Sequence, residues 1–209
     1  MPLRSHPVSP DPPVAPGTAL ARLRLRSHPQ TPCAAVDRVT ATLSIERPDI
    51  LLVRYHVAGA LEALRVPSHG SRLDPDRLWA HTCCELFVAP GEGEAYDEWN
   101  FSPTGQVAYY EFSSYRQRRA SSSSPSPPLS IAVEPDGFRL EARVPLRSGA
   151  DGSARLSLTT VIEDSTGALS YWALRHPSDR PDFHHRGGFS LRLTSTPTPT
   201  IADAMVEPS

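Results

Sequence analysis

The chain has 209 residues, 39% hydrophobic and 21% charged, enough for one domain with a substantial core. Its formal net charge of −2 leaves no basic excess to neutralise a phosphate backbone, which argues against nucleic acid as a partner. All 21 basic residues are Arg, and without Lys there is neither Lys Schiff-base chemistry nor a Walker-type phosphate loop.

Pro2, Pro7, Pro10, Pro12, Pro13 and Pro16 open the chain at a spacing that suits neither a helix nor a central strand, so residues 1–17 are expected to be a disordered lead-in. They hold no apolar stretch of the length an export signal needs, and a cytoplasmic location is the expectation. No run approaches the ~20 apolar residues of a membrane helix, so no membrane partner is expected. From residue 18 the period is two. Leu23 and Leu25 alternate with Arg22, Arg24 and Arg26. Val39, Ala41, Leu43 and Ile45 repeat the pattern, Pro48-Asp49 turns the chain, and Leu51, Val53, Tyr55 and Val57 complete a hairpin. Asp74 followed by Pro75 marks the start of a single helical turn reaching Trp79. Cys83 to Val88 is extended, and Tyr96 to Phe101 and Gln106 to Phe112 flank a turn at Ser102-Pro103-Thr104-Gly105.

Residues 117–128 are rich in Ser and Pro and are expected to form a flexible loop. Beyond them, Leu129 to Val133, Phe138 to Val144, Leu156 to Ile162, Tyr171 to Leu174 and Phe189 to Leu193 read as strands separated by Gly-containing turns. Residues 195–209 read as a flexible tail. The expected architecture is all-β: an antiparallel, jelly-roll-like sandwich of about ten strands over residues 18–194. Three cysteines, Cys33, Cys83 and Cys84, are an odd number, and adjacent residues on a strand point apart, so a disulfide framework is not expected.

Trp79, Trp99, Tyr109, Tyr171 and Trp172 lie on strands or near their ends. An indole face stacks on the apolar face of a sugar ring, and Glu85, Asn100, Arg175 and His176 are polar groups placed to bind its hydroxyls. Trp and Tyr in a sandwich of this size also serve as core. Strand alternation constrains the choice. If Cys84, Leu86 and Val88 face the core, Cys83, Glu85 and Phe87 face outward, with Glu85 exposed on a sheet face. Trp99 and Asn100 then point to opposite faces unless a bulge intervenes.

His176, Asp182, His184 and His185 could ligate a metal, although their spacing matches no zinc motif; a polar loop held by hydrogen bonds is the plainer account. The carboxylates of GEGEAYDEW, Glu92, Glu94, Asp97 and Glu98, sit beside a turn and read as a solvated loop rather than as a catalytic pair. Neither G-x-S-x-G nor a Gly-rich dinucleotide fingerprint is present. A binding module is therefore a stronger expectation than an enzyme.

Leu78-Trp79, Cys83-Cys84-Glu85-Leu86-Phe87 and Asn100-Phe101-Ser102-Pro103-Thr104-Gly105 together resemble DOMON-like domains, relatives of the family 9 carbohydrate-binding modules. Val161-Ile162-Glu163, Ser170-Tyr171-Trp172-Ala173-Leu174, His176-Pro177, Pro181-Asp182-Phe183-His184-His185 and Phe189 extend the resemblance to a bacterial subgroup of no assigned activity. The resemblance implies a β-sandwich with one curved sheet whose concave face or rim binds a sugar or a haem, with calcium as a companion of the sugar-binding relatives. Haem in such domains uses a Met and a His, yet the only methionines here are Met1 and Met205, leaving His56, His81 and His176 as substitutes.

The leading expectation is therefore a non-catalytic module for a small ligand such as a saccharide, with no resident cofactor. The alternatives are a structural domain that docks a protein partner or a second copy, and a haem- or metal-binding protein.

Overall fold

The computed structural model describes residues 21–47, 49–120, 125–193 and the backbone of 200–201. Thirteen strands occur among them: β1 (Ala21–Ser27), β2 (Val36–Arg47), β3 (Ile50–Gly59), β4 (Cys83–Pro90), β5 (Tyr96–Phe101), β6 (Val107–Ser114), β7 (Gln117–Arg118), β8 (Leu129–Glu134), β9 (Gly137–Pro145), β10 (Ala154–Glu163), β11 (Leu169–Ala173), β12 (Leu191–Leu193) and β13 (Thr200–Ile201). Every pairing is antiparallel. The first sheet runs β1-β2-β3-β9-β8, and the second runs β7-β6-β5-β4-β10-β11 with β12 and β13 alongside β10. β1 joins them. Its residues Ala21 to Leu25 pair with β2, while Arg26 and Ser27 pair with β11. The all-β sandwich expected from the alternation is the fold observed.

The period of two decides what lies between the sheets. Leu23, Leu25, Val39, Ala41, Leu43, Val53, Tyr55 and Val57 from the first sheet meet Leu86, Val88, Trp99, Phe101, Leu158, Ile162 and Trp172 from the second in one buried cluster. Each such side chain contributes about 1.5–3 kcal/mol by leaving water. Tyr55 crosses this interior, and its hydroxyl donates to the backbone carbonyl of Glu85 at 2.5 Å. One sheet thereby fixes the height of a residue on the other.

The sequence expectations need three corrections. Gln117 and Arg118, placed in a flexible loop, form β7 and close a hairpin on β6. The reversal depends on Arg116, which takes a positive φ of 55°, a conformation that costs a non-glycine residue free energy and must be held by its contacts. Thr200 and Ile201, placed in a flexible tail, pair with β12. Glu98, read as part of a solvated loop, lies within β5, where all six residues are buried. The lead-in 1–17, residues 121–124 of the Ser/Pro loop and most of the tail lie outside the described residues.

Among the glycines, Gly137 has the sharpest requirement. It opens β9 with φ of 145°, and a Cβ there would stand 1.9 Å from the carbonyl oxygen of Val57. Only glycine lets β9 approach β3 at this point.

Candidate functional site

In the second sheet, the strand faces turned away from the core are covered rather than left to solvent. Leu78, Cys83, Phe87, Ala89, Tyr96, Ala108, Tyr110, Phe112 and Phe189 make a second apolar cluster there. One side of the cover is a short 3₁₀ helix, Pro75–Ala80. Its start is the one expected: the Asp74 side chain accepts from the backbone N–H of Asp76 at 3.0 Å, and Pro75 occupies the first position. Gln106 anchors the approach to it, accepting from the Leu73 N–H at 2.7 Å and donating to the Leu73 carbonyl at 3.0 Å. The Tyr110 hydroxyl donates to the Pro75 carbonyl. The other side of the cover is the segment after β11, in which Phe183 meets Tyr171 edge to face at 5.7 Å. Asp182 ties that segment to the β6–β7 turn by accepting from Arg116 at 3.0 Å and from the Tyr115 hydroxyl at 2.9 Å. These contacts hold Arg116 in its left-handed conformation.

Between the two sides lies a cavity of about 670 Å³. Its floor is formed by Glu85 of β4 and Glu98 of β5, which are only 2% and 5% exposed. Trp79, 47% exposed, stands on the helical side, and Tyr110, Phe112, Tyr171 and Phe183 complete an aromatic wall. Arg116, Arg118 and Arg180 reach it from the rim. Arg118 lies over the ring of Tyr110 at 4.1 Å and pairs with Asp76 at 3.4 Å.

The floor is held by neutral hydrogen-bond donors. Thr159 donates to Oε2 of Glu85 at 3.2 Å. Asn100, fully buried, donates its amide to Oε1 of Glu98 at 2.7 Å. Burial pushes the Glu85 carboxyl well above its ordinary value, and the neighbouring Glu98 charge adds to the rise against the Thr159 bond. Burial also lifts Glu98 to about 7, against the lowering effects of the Asn100 bond and of the Arg116 and Arg118 charges. The pair therefore retains a proton at neutral pH.

His184 stands beside Glu98, with Nε2 3.7 Å from Oε2. The Tyr96 hydroxyl accepts from the Arg116 N–H at 3.1 Å and lies 2.8 Å from Nδ1 of His184. A hydroxyl proton donated to Nδ1 leaves the ring proton on Nε2, facing Glu98. Burial, followed by the Arg116 charge, lowers the His184 pKa to about 4. His184 is thus a neutral donor at pH 7, not the cation of an ion pair.

Of the residues singled out from the sequence, Trp79, Glu85 and Tyr171 line the cavity, and Asn100 positions Glu98 from beside it. The expectation that Glu85 is exposed is corrected: its face is outward in the pleat, but the helix and the segment after β11 cover it. Trp99 and Trp172 belong to the core between the sheets, and Tyr109 packs on Trp99 at 4.4 Å. Their position in the alternation turns them from the cavity. His176 donates from Nε2 to the carbonyl of Arg26 at 2.8 Å, and Arg175 is exposed; neither lines the cavity. The four residues considered as metal ligands do not converge. His176 and His184 are engaged as described, Asp182 holds the turn, and His185 accepts the backbone N–H of Gly187. No group of three or more potential ligands occurs among the described residues.

Sequence reasoning missed Glu98, Tyr110, Phe183 and the three rim arginines as parts of one site. The signal for Glu98 was present. It shares a face with Asn100 and Tyr96 by period two, and the β4–β5 register sets Asn100 opposite Glu85.

No family model matches the chain, and no curated protein matches it. Among solved structures, the "putative carbohydrate-binding protein" of Bacteroides uniformis is similar, with 18% identity, 80% of this chain and 82% of that chain covered, and a TM-score of 0.59. A family 9 carbohydrate-binding module from Caldicellulosiruptor kristjanssonii is less alike. Its cellotriose complex gives 16% identity, 71% of each chain and a TM-score of 0.38, and its glucose complex 15%, 74% of this chain, 77% of that chain and 0.40. The likeness to the Bacteroides protein is one of fold: a two-sheet antiparallel β architecture shared across most of both chains.

Proposed function

We propose that the cavity on the second sheet binds a small saccharide, and that the chain is a non-catalytic binding module of the DOMON-like kind. The observation that carries this is the floor: two carboxyl groups at least 95% removed from water, fixed by Asn100 and Thr159, beneath a wall of aromatic rings. Carboxyl and carboxylate side by side accept and donate hydrogen bonds, which suits vicinal hydroxyls, and the aromatic faces suit the C–H face of a sugar ring. A cavity of this volume lies within the usual range for small-molecule sites. The fold shared with the Bacteroides protein, and that protein's name, support the same direction.

Tryptophan emission provides a direct test. Of the three tryptophans only Trp79 is exposed, so a ligand entering the cavity changes the fluorescence of that residue while Trp99 and Trp172 stay constant. A panel of mono- to trisaccharides titrated against the full chain is expected to give at least one saturable change that Trp79→Phe removes. A panel with no saturable change, confirmed by calorimetry, refutes saccharide binding.

A further inference from the structure

The cavity floor carries acidic groups that no basic group among the described residues neutralises by direct contact. Glu85 receives a bond from Thr159 and Glu98 from Asn100, both neutral donors. The cations nearby are committed elsewhere. Arg116 is paired with Asp182, Arg118 with Asp76, and Arg180 is exposed at the rim. His184, the nearest basic side chain, faces Glu98 as a neutral ring. The other titratable groups packed on the floor are Cys83, Tyr96, Tyr110 and Tyr171, which burial keeps protonated and uncharged. A buried carboxylate pair with no counter-charge in contact, only the more distant Arg116 and Arg118, is costly, and the free protein avoids that cost by retaining protons. A cation brought by a ligand would serve equally well, and the wall of Trp79, Tyr110, Tyr171 and Phe183 offers it aromatic faces.

We infer that the saccharide taken by this cavity is an amino sugar, whose ammonium group seats against Glu85 and Glu98 beneath the aromatic wall. This rests on the saccharide reading of the same cavity and adds the charge of the ligand to it. The proton balance is explicit. The ammonium enters with its three protons, donates to both carboxylates, and the protons held by the glutamate pair pass to solvent. No bond is made or broken beyond that transfer. Binding is therefore linked to proton release, whereas a neutral sugar can bind the protonated pair with none.

Calorimetry on the full chain near pH 6, where the ring amines are largely charged and both carboxyls of the free protein are largely protonated, separates the cases. The probes are a β-1,4-linked trimer of glucosamine and the matching trimer of glucose, each measured in two buffers of different ionisation enthalpy. The amino trimer is expected to bind at least about tenfold more tightly, the margin of one charge-assisted hydrogen bond, with a measurable proton release. Glu98→Gln and Glu85→Gln, which keep the side-chain volume, are expected to reduce that preference to within about twofold. Melting curves establish that both variants are folded. Equal or tighter binding of the glucose trimer, or amino-trimer binding without proton release, overturns the amine inference and leaves the saccharide reading standing. Failure of both trimers and of the whole saccharide panel overturns both.

Discussion

The two outer faces of the sandwich have the same pleat and opposite fates. On the first sheet, Arg54, Glu141, Arg143 and Glu46 form a chain of ion pairs across β3, β9 and β2 in contact with water, with Arg54 to Glu141 at 2.5 Å and Arg143 to Glu46 at 3.1 Å. On the second, two chain segments cover the face, and the charged residues there lie at the floor of a cavity. Period two assigns a side chain to a face but does not say whether that face meets water. The covering segments decide that, and they turn an ordinary surface glutamate into a desolvated one.

Substitutions can break this contrast. The largest effect is expected from Phe87→Ala. Phe87 is fully buried on the covered face against Tyr96, His184 and Phe189, and its truncation should cost about 3–5 kcal/mol in urea unfolding. Loss of less than about 1 kcal/mol would mean that the cover is not a packed layer.

The pH dependence comes next. Glu98, raised from 4.5 to about 7, binds more protons folded than unfolded in that interval, so its contribution falls as pH rises through 7, and Glu85 extends the fall further upward. His184, lowered from 6.5 to about 4, works the other way between those values and loses stability as pH falls. The two effects oppose one another between pH 4.5 and 6.5, and a comparison of two chains that both keep His184 isolates the carboxyl effect. The difference in stability between Glu98→Gln and the parent chain, followed by melting from about pH 5 to 8, is expected to grow in favour of the variant up to about pH 7 and to level off above it. A difference that stays flat between about pH 5 and 7 would show Glu98 to be solvated.

Trp79→Ala should weaken ligand binding by about tenfold through loss of one stacking face, with stability changed by less than about 1 kcal/mol because the indole is half exposed. Unchanged affinity in calorimetry would remove Trp79 from the site. The smallest effect belongs to the open face: Glu141→Gln should cost less than about 1 kcal/mol, and that cost should shrink in high salt.

The sandwich was legible because its signal is local. Leu51, Val53, Tyr55 and Val57 declare a strand and its buried face without help from the rest of the chain. The site was only half legible because it is assembled from distant segments. Trp79 and Glu85 could be chosen, but Trp99, Tyr109 and Trp172 looked equally suitable as aromatic groups until the register placed them inside or on the other face. One local clue was available. Cys83 to Ala89 is apolar on both faces apart from Glu85, the pattern of a strand buried on both sides, so Glu85 should have been read as covered. Glu98 was obscured by its acidic neighbours Glu92 and Glu94, which do sit in an exposed turn.

The partner change of β1 also sets the order in which the molecule can assemble. The β2–β3 hairpin and the β4–β5–β6 meander each join strands that are consecutive along the chain and can form early. Closing the second sheet onto the first, however, joins Arg26 to Ala173, so the ring of strands must wait until almost the whole chain is available. The segment that carries Phe183 and His184 follows that junction. The cavity is therefore completed last, and a chain that fails to close at β1 has a pleated surface with exposed glutamates and no enclosed cavity.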